Sequence, residues 1–227
     1  MLGWAEACFA KFKQEGRRGY IDEAVNLGNE ALDVCPPGHC KRAVTLSLLA
    51  IYLHSHYQWF GWTKDLNEAI ALNREVLGLQ SEGHPHRSWS LNNLVTQLST
   101  WYNQLGAMQD LNKAIVLDRE ALSLWPEGHP HCSESLNNLA VDLSTWYKQL
   151  RAMQDLNEAI VLAREALGLQ PEGHPHCSLP LNHLALDLHT RFRQSRNLKD
   201  QEELFNLYAQ LHRPCSPTCV LVRYSCH

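Results

Sequence analysis

The sequence lacks the features that mark membrane and secreted proteins. Its 227 residues contain no apolar run near the roughly 20 residues that a membrane-spanning helix requires. The first twenty residues do not follow the charged-then-apolar order of a secretory signal. The eight cysteines are scattered and are interpreted as reduced thiols. We therefore expect a soluble cytoplasmic protein that makes no contact with a membrane.

Features that would indicate nucleic-acid binding or catalysis are also lacking. The formal net charge is −4 and no segment forms a basic stripe, so nucleic acid is not an expected partner. There is no glycine-rich phosphate loop, and no pair of carboxylates stands apart from the helix starts. Neighbouring cysteines and histidines occur only in repeated turns or near the C-terminus, without the rigid frame that a nucleophile needs. We predict that the chain is not an enzyme and binds no cofactor.

What the sequence does contain is an internal repeat. The phrase "PEGHPHCSESLNNLA" at 126–140 returns in close copies at 81–95 and 171–185, and in a fainter copy at 36–50. A second phrase of the type "DLNEAIVLAREALGLQ" begins at Asp65, Asp110 and Asp155. Its successive starts differ by 45 residues (110 − 65 and 155 − 110). A motif that returns at a fixed interval indicates a repeat architecture.

The repeat predicts the organisation of the domain. We expect one helical array over residues 1–211, followed by an irregular tail at 212–227. The array consists of partial units at both ends and of four full units near 20–64, 65–109, 110–154 and 155–199.

Each unit carries two helical patterns. In the unit near 65–109 a shorter helix is predicted over 66–79 and a longer one from about Pro85 to Leu105, because apolar residues recur with helical spacing. No segment alternates apolar and polar residues, so the fold class is all-α. The expected architecture is an α-α superhelix, or solenoid, of antiparallel helix pairs.

The helix ends carry their own signals. Asp65 is predicted to be an N-cap, with Glu68 completing a capping box. Gly61 and Gly106 are predicted to end long helices in the left-handed conformation, and Arg151 replaces this glycine in the third unit. Pro180 is expected to kink the last long helix or to shift its start.

The "EGHP" phrase has a structural and a metal-binding interpretation. Gly128 suits a positive φ, and Pro130 suits the first turn of the next helix, so the phrase predicts a turn in which the His129 ring caps the helix. Two imidazoles such as His129 and His131 supply only half of a tetrahedral metal site. A second metal candidate in the tail has irregular spacing and comprises His212, Cys215, Cys219, Cys226 and His227. We predict no metal site.

The repeated phrases resemble the tetratricopeptide repeat, TPR. In "SLNNLAVDLSTWYKQL" and "DLNEAIVLAREALGLQP" the matching residues are Leu139, Ala140, Ala159, Ala166 and Pro171. The usual TPR period is about 34 residues, and the longer period here resembles the kinesin-light-chain type. The array is also similar to fungal TPR arrays that precede a caspase-like CHAT domain, and no CHAT domain is expected here. HEAT or armadillo repeats, with about 40–47 residues, are the alternative.

The resemblance to TPR proteins implies a binding surface. In such arrays the "LNNLA" helices line the concave side, where the candidate partner-binding residues are expected to be exposed; they are Asn92, Asn93, Asn137, Asn138, Asn182 and His183. An asparagine side chain both donates and accepts hydrogen bonds, so a ladder of them suits the main chain of an extended peptide. The expected function is a non-enzymatic scaffold that binds a peptide or protein. The structural alternative is that these asparagines pack at helix crossings and bond to a neighbouring turn.

A second function class follows from the same resemblance. The chain is similar to the sensor region of a larger CHAT-protease-type signalling protein, which implies a regulatory or self-assembly role. In that case the ends of the array form a homo-oligomer, because unpaired terminal units of a solenoid leave apolar faces uncovered.

Overall fold

The computed structural model describes residues 1–125, 129, 131–169 and 178–211. These residues form ten α-helices and no strand, which confirms the all-helical fold class. The helices are α1 (Leu2–Glu15), α2 (Arg18–Asp33), α3 (Arg42–Phe60), α4 (Thr63–Leu79), α5 (Arg87–Leu105), α6 (Met108–Leu124), α7 (Cys132–Leu150), α8 (Met153–Gly168), α9 (Ser178–Ser195) and α10 (Leu198–Leu211). None of these helices is long and apolar enough to cross a bilayer.

The helices form two compact units, Met1–Leu124 and Trp125–His227. Within each unit, every helix packs against the helix that follows it in the chain. The helices α3, α5 and α7 have 19 residues and α9 has 18, and they are called the long helices below. The helices α2, α4, α6 and α8 have 16 or 17 residues, and together with α10 they are called the short helices.

The core of each unit is built from the predicted apolar stripes. In the first unit, Leu49 and Ala50 of α3 pack with Ala69 and Val76 of α4, and all four are completely buried. In the second unit, Ala140 of α7 belongs to the same cluster as residues of α8 and α9. In α3, α7 and α9 a small residue follows the central leucine (Ala50, Ala140 and Ala185), and it lies inside these cores, where it allows close approach of a neighbouring helix.

The long helices end as the sequence predicts. Gly61 and Gly106 adopt left-handed conformations with φ of 73° and 70°. Arg151, in the place of glycine, adopts the same conformation with φ of 60°, and its N–H donates to the carbonyl of Tyr147 at 2.7 Å. Its guanidinium lies 5.8 Å from the centre of the Tyr147 ring. The left-handed conformation at the helix end therefore persists without glycine. Arg151 adopts it with backbone strain, because its side chain has a Cβ.

Arg151→Gly is expected to raise the free energy of unfolding by about 0.5–1 kcal/mol, because a left-handed residue with a Cβ costs about 1–2 kcal/mol. The lost contact with the Tyr147 ring and the larger entropy of an unfolded glycine reduce this gain. Urea unfolding measures it. The reverse change, Gly106→Arg, serves as the matched variant and is expected to cost about 1 kcal/mol. A less stable Arg151→Gly protein would contradict this explanation of the turn.

The short helices start earlier than predicted, so the capping boxes are wrong. Helix α4 begins at Thr63, and its N-cap, Trp62, makes no side-chain capping bond. The N–H of Asp65 donates to the Trp62 carbonyl at 2.9 Å, which makes Asp65 the third residue of the helix. Helix α8 likewise begins two residues before Asp155. The carboxylates remain in the first turn, where the helix dipole favours negative charge.

Two long helices differ from prediction near their prolines: α5 starts later than predicted, and α9 contains its proline in the first turn. Helix α5 begins at Arg87, because the Arg87 N–H closes a turn on the carbonyl of His84, and Pro85 lies inside that turn. Pro180 lies in the first turn of α9, where a missing N–H breaks no helical hydrogen bond, and the helix continues to Ser195.

The turn interpretation of "EGHP" holds in the copies that the structure describes. Gly38 and Gly83 have positive φ of 89° and 84°. The ring Nδ1 of His84 accepts from the N–H of His86 at 3.2 Å, and the ring of His129 accepts from the N–H of His131 at 3.3 Å. The His129 ring also stacks on Trp125, with centroids 4.2 Å apart.

The metal and cysteine predictions concern residues that are only partly described. Among the described residues, no group of three histidine, cysteine, aspartate or glutamate side chains is arranged to hold a metal ion. Free thiols in this part of the chain are Cys8, Cys35, Cys40 and Cys132. Gly128, Pro130 and the tail residues of the second metal candidate, His212, Cys215, Cys219, Cys226 and His227, lie outside the described residues.

Candidate partner-binding surface

The six predicted binding residues lie on three long helices. Asn92 and Asn93 are on α5 in the first unit. The other four belong to the second unit and are Asn137 and Asn138 on α7, with Asn182 and His183 on α9.

Their exposure differs from the prediction that all of them face solvent. Asn182 is exposed, and Asn93, Asn137, Asn138 and His183 are partly buried. Asn92 is only 8% exposed, so its predicted exposure is wrong.

The burial of Asn92 is shared by the preceding copy of its repeat position but not by the two later copies, Asn137 and Asn182. Ser47, which precedes Asn92 by one repeat, is 7% exposed on α3. Within the units the long helices α3 and α5, and likewise α7 and α9, also contact each other. A neighbouring long helix can therefore bury one side of a long helix. The apolar periodicity of a single helix does not predict this burial.

Three of the predicted residues carry a polar atom without a hydrogen bond. These buried atoms are Nδ2 of Asn93, Oδ1 of Asn137 and Nδ1 of His183, and the described part of the chain offers none of them a partner. A buried polar atom without a hydrogen bond costs about 1–3 kcal/mol. Asn92 and Asn138, by contrast, do interact with other residues. The structural interpretation thus suits Asn92 and Asn138 better than Asn93 and Asn137.

A polar cluster surrounds His183 in the second unit. The Ser144 hydroxyl of α7 donates to Oδ2 of Asp187 on α9 at 2.5 Å. Burial raises the pKa of Asp187 to about 6, although the bond from Ser144 and the charge of Lys148 oppose this shift. Burial and the charge of Lys148 both lower the pKa of His183. At neutral pH, His183 is therefore an uncharged imidazole that offers one donor and one acceptor.

The first unit has a partly buried histidine on its long helices as well. Nε2 of His54 on α3 lies 3.4 Å from the Thr100 hydroxyl of α5. Burial lowers the pKa of His54 to about 4, so it is neutral at pH 7. Tyr52 on the same helix has a buried hydroxyl without a hydrogen bond, and burial, Glu6 and Cys8 raise its pKa to about 12.

Some long helices form side-chain hydrogen bonds near their ends with the first turn of the next short helix, and the sequence alone did not predict these bonds. Arg191, near the end of α9, donates from Nη2 and Nε to both carboxylate oxygens of Asp200 in the first turn of α10, at 2.6 and 2.9 Å. Its Nη1 also donates to Oδ1 of Asn157 on α8 at 2.9 Å. The single arginine therefore ties three consecutive helices together.

His56 makes the equivalent contacts in the first unit, three repeats earlier. Its Nδ1 lies 2.6 Å from Oδ2 of Asp65, and its Nε2 lies 2.9 Å from Oδ1 of Asp22. A comparison of equivalent positions would have found both contacts, because each basic residue precedes its aspartate by nine positions.

The long helices thus carry hydrogen-bond donors and acceptors within a helical-repeat fold, and known proteins show the same type of repeat. Residues 133–176 match the family model of the tetratricopeptide repeat. A putative kinesin light chain from Podosopora anserina with nearly identical TPR-like repeats is 19% identical, with 93% of this chain and 96% of that chain covered and a TM-score of 0.62. No curated protein matches the sequence.

Two further solved structures are similar. A form of the same Podosopora anserina protein with one substituted residue is 20% identical to this chain, with 92% of each chain covered and a TM-score of 0.63. BtubC (BKLC) from P. vanneervenii is 15% identical, with 98% of this chain and 95% of that chain covered and a TM-score of 0.56.

These findings define an α-helical repeat protein of the solenoid class. Residues 133–176 match a tetratricopeptide repeat, and the fold of the chain is similar to that of the kinesin-light-chain-type repeat proteins. Repeats of this fold commonly mediate protein–protein interaction and are generally not enzymatic.

Proposed function

We propose that the protein is a non-enzymatic scaffold that binds an extended peptide or protein segment along its long helices, on the concave face of the TPR superhelix. Asn93 and Asn137 bond to the main chain of the partner, and the His183 ring adds a further hydrogen bond. Asn138, which is partly exposed, and Asn182, which is exposed, complete the surface. An asparagine side chain suits this role because it matches both the donor and the acceptor of a peptide group.

The observation that carries the proposal is the unpaired amide atom on both Asn93 and Asn137. Rotation about χ2 presents that atom to a partner without breaking a hydrogen bond that it makes inside the chain. Asn73 on α4 also has an unpaired atom, Oδ1, but it is different because its Nδ2 donates to Oε1 of Gln97 at 2.9 Å, and rotation would break that bond. A polar group that the fold leaves unsatisfied gains the full benefit of a hydrogen bond when a ligand arrives.

A capture experiment with matched variants tests the proposal. The bait carries Asn93→Ala and Asn137→Ala, and the control carries Gln104→Ala and Gln149→Ala, which change exposed residues of the same two helices. Loss of two hydrogen bonds of about 1–1.5 kcal/mol each predicts at least about tenfold weaker capture by the bait. Circular dichroism establishes that both variants are folded. Equal capture of the same proteins by the bait and the wild type would refute the binding role.

A second function, self-assembly related to the sensor region of a CHAT-protease-type protein, has one observation in its favour. Phe205 on α10 is 68% exposed, whereas Ile160, one repeat earlier on α8, is completely buried. Phe205 lines a cavity of about 180 Å³ between α9 and α10, together with Phe192 and Tyr208. Light scattering on wild type and Phe205→Ser decides this function: a wild-type oligomer that the substitution dissociates supports it, and a wild-type monomer contradicts it.

A further inference from the structure

A second surface, in the first unit, uses none of the proposed asparagines. It is a cavity of about 280 Å³, called the basic groove here, between the short helices α4 and α6 and above the long helix α5. Its lining includes Arg74, Leu94, Leu98, Asn112, Lys113 and Val116. Its charged side chains are thus two cations above an apolar floor.

In the second unit an ion pair joins two short helices at the repeat positions of Arg74 and Lys113. Arg164 on α8 lies two repeats after Arg74, and Glu203 on α10 lies two repeats after Lys113. The Arg164 guanidinium donates to both carboxylate oxygens of Glu203, at 2.9 and 2.5 Å. The two repeat positions are therefore close enough for a direct ion pair.

In the basic groove the acidic member of this pair is absent from its position. Lys113 stands where the second unit has Glu203, so the side chain that faces Arg74 carries the same sign of charge. Within the described residues, Arg74 makes neither an ion pair nor a hydrogen bond. The Lys113 ammonium has one carboxylate near it, that of Asp110 at 3.6 Å. Positive charge in the groove is thus only partly compensated.

The neighbouring groove of the same unit shows that this arrangement is not general. One repeat earlier, between α2 and α4, the two positions are Asn29 and Glu68. That pair carries no cation and one acid. The basic groove therefore differs from its neighbour by three units of charge at these two positions, on a similar leucine floor formed by Leu49 and Leu53.

We propose that the basic groove binds an acidic peptide segment of a partner protein. A carboxylate of the segment lies between Arg74 and Lys113 and supplies the charge that Glu203 supplies in the second unit. An adjoining aliphatic side chain covers Val116, which is 57% exposed in the free protein and lies beside the buried leucines Leu94 and Leu98. Charge complementarity selects the acidic residue, and burial of the apolar floor adds affinity.

A methyl NMR titration of the full chain tests this site. The probe is the N-acetylated, C-amidated dipeptide of leucine and glutamate, and its glutamine analogue is the control ligand. The methyl resonances of Leu94 and Leu98 are expected to shift saturably with the glutamate probe. Lys113→Glu is expected to raise the dissociation constant at least tenfold, because the new carboxylate pairs with Arg74 as Glu203 pairs with Arg164. Lys64→Gln, at an exposed lysine of α4 that does not line the groove, is expected to leave binding unchanged.

The Lys113→Glu protein also provides a readout without ligand. Its melting temperature is expected to exceed that of the wild type, because an ion pair replaces a repulsion between cations. Three results would overturn the proposal: no saturable shift in the wild type, equal binding of the glutamine analogue, or unchanged affinity in Lys113→Glu. Because the proposed scaffold function is tested at Asn93 and Asn137, each proposal can fail without the other.

Discussion

Replacement of Arg191 by methionine is expected to lower the free energy of unfolding of the second unit by about 3–5 kcal/mol. The reason is the carboxylate of Asp200, which is 1% exposed and accepts two hydrogen bonds from the arginine. Without Arg191, that charge remains buried and uncompensated, and Asn157 loses its hydrogen bond as well. Urea unfolding followed by circular dichroism measures the loss.

A double variant separates the buried charge from lost packing. In Arg191→Met/Asp200→Leu both charges are gone, so most of the stability is expected to return, as for other buried ion pairs replaced by apolar residues. If the double variant is as unstable as Arg191→Met alone, the carboxylate is not the cause. Arg191→Lys, which keeps the charge but loses the two-pronged geometry, is expected to fall between the wild type and Arg191→Met.

Acid is expected to destabilise the first unit through His54. The folded-state pKa of His54 is lowered from 6.5 to about 4 by burial, so between these values the unfolded chain binds a proton that the folded chain does not. The contribution is fully present above pH 6.5 and is lost as the pH falls toward 4. The upper limit is about 3 kcal/mol, at about 1.4 kcal/mol per unit of pKa. Amide hydrogen exchange in α3 and α5 between pH 7 and 4 measures it.

The second unit is expected to respond to pH in the opposite direction at Asp187. Its pKa is raised from 3.8 to about 6, so on acidification the folded state takes up the proton first, and stability rises as the pH falls from 6 to 4. His54→Gln should remove the dependence in the first unit alone, and Asp187→Asn should remove it in the second unit alone. If acid lowers the exchange protection of α3 and α5 equally in His54→Gln and in the wild type, His54 does not carry the effect.

The fold was predictable because the repeat and the helical stripes agree at every unit. Alanines such as Ala140 and Ala159 recur at the spacing of the repeat and fill the core of the second unit. Gly61 and Gly106 also marked the ends of long helices correctly. The helix starts were not predictable in the same way. The first turn of α4 contains the exposed residues Thr63 and Lys64, which add nothing to an apolar stripe.

The candidate surface was predictable in position but not in environment. The repeated asparagines lie on long helices, yet the burial of Asn92 depends on how neighbouring helices cover its flank. Two contacts required a comparison between copies rather than along one helix. Arg191 and Asp200 lie on different helices. The missing acid at Lys113 is recognised only by comparison with the ion pair of Arg164 and Glu203.

The central claim is that the amides of Asn93 and Asn137 bond to a partner rather than to the fold. The most direct test follows their side-chain NH₂ resonances by nitrogen–proton NMR as a peptide, selected for binding to the wild-type chain, is added. We predict saturable shifts for Asn93 and Asn137, while the amide of Asn73, already bonded to Gln97, stays in place. A peptide that binds and leaves the resonances of both Asn93 and Asn137 unmoved would contradict the claim.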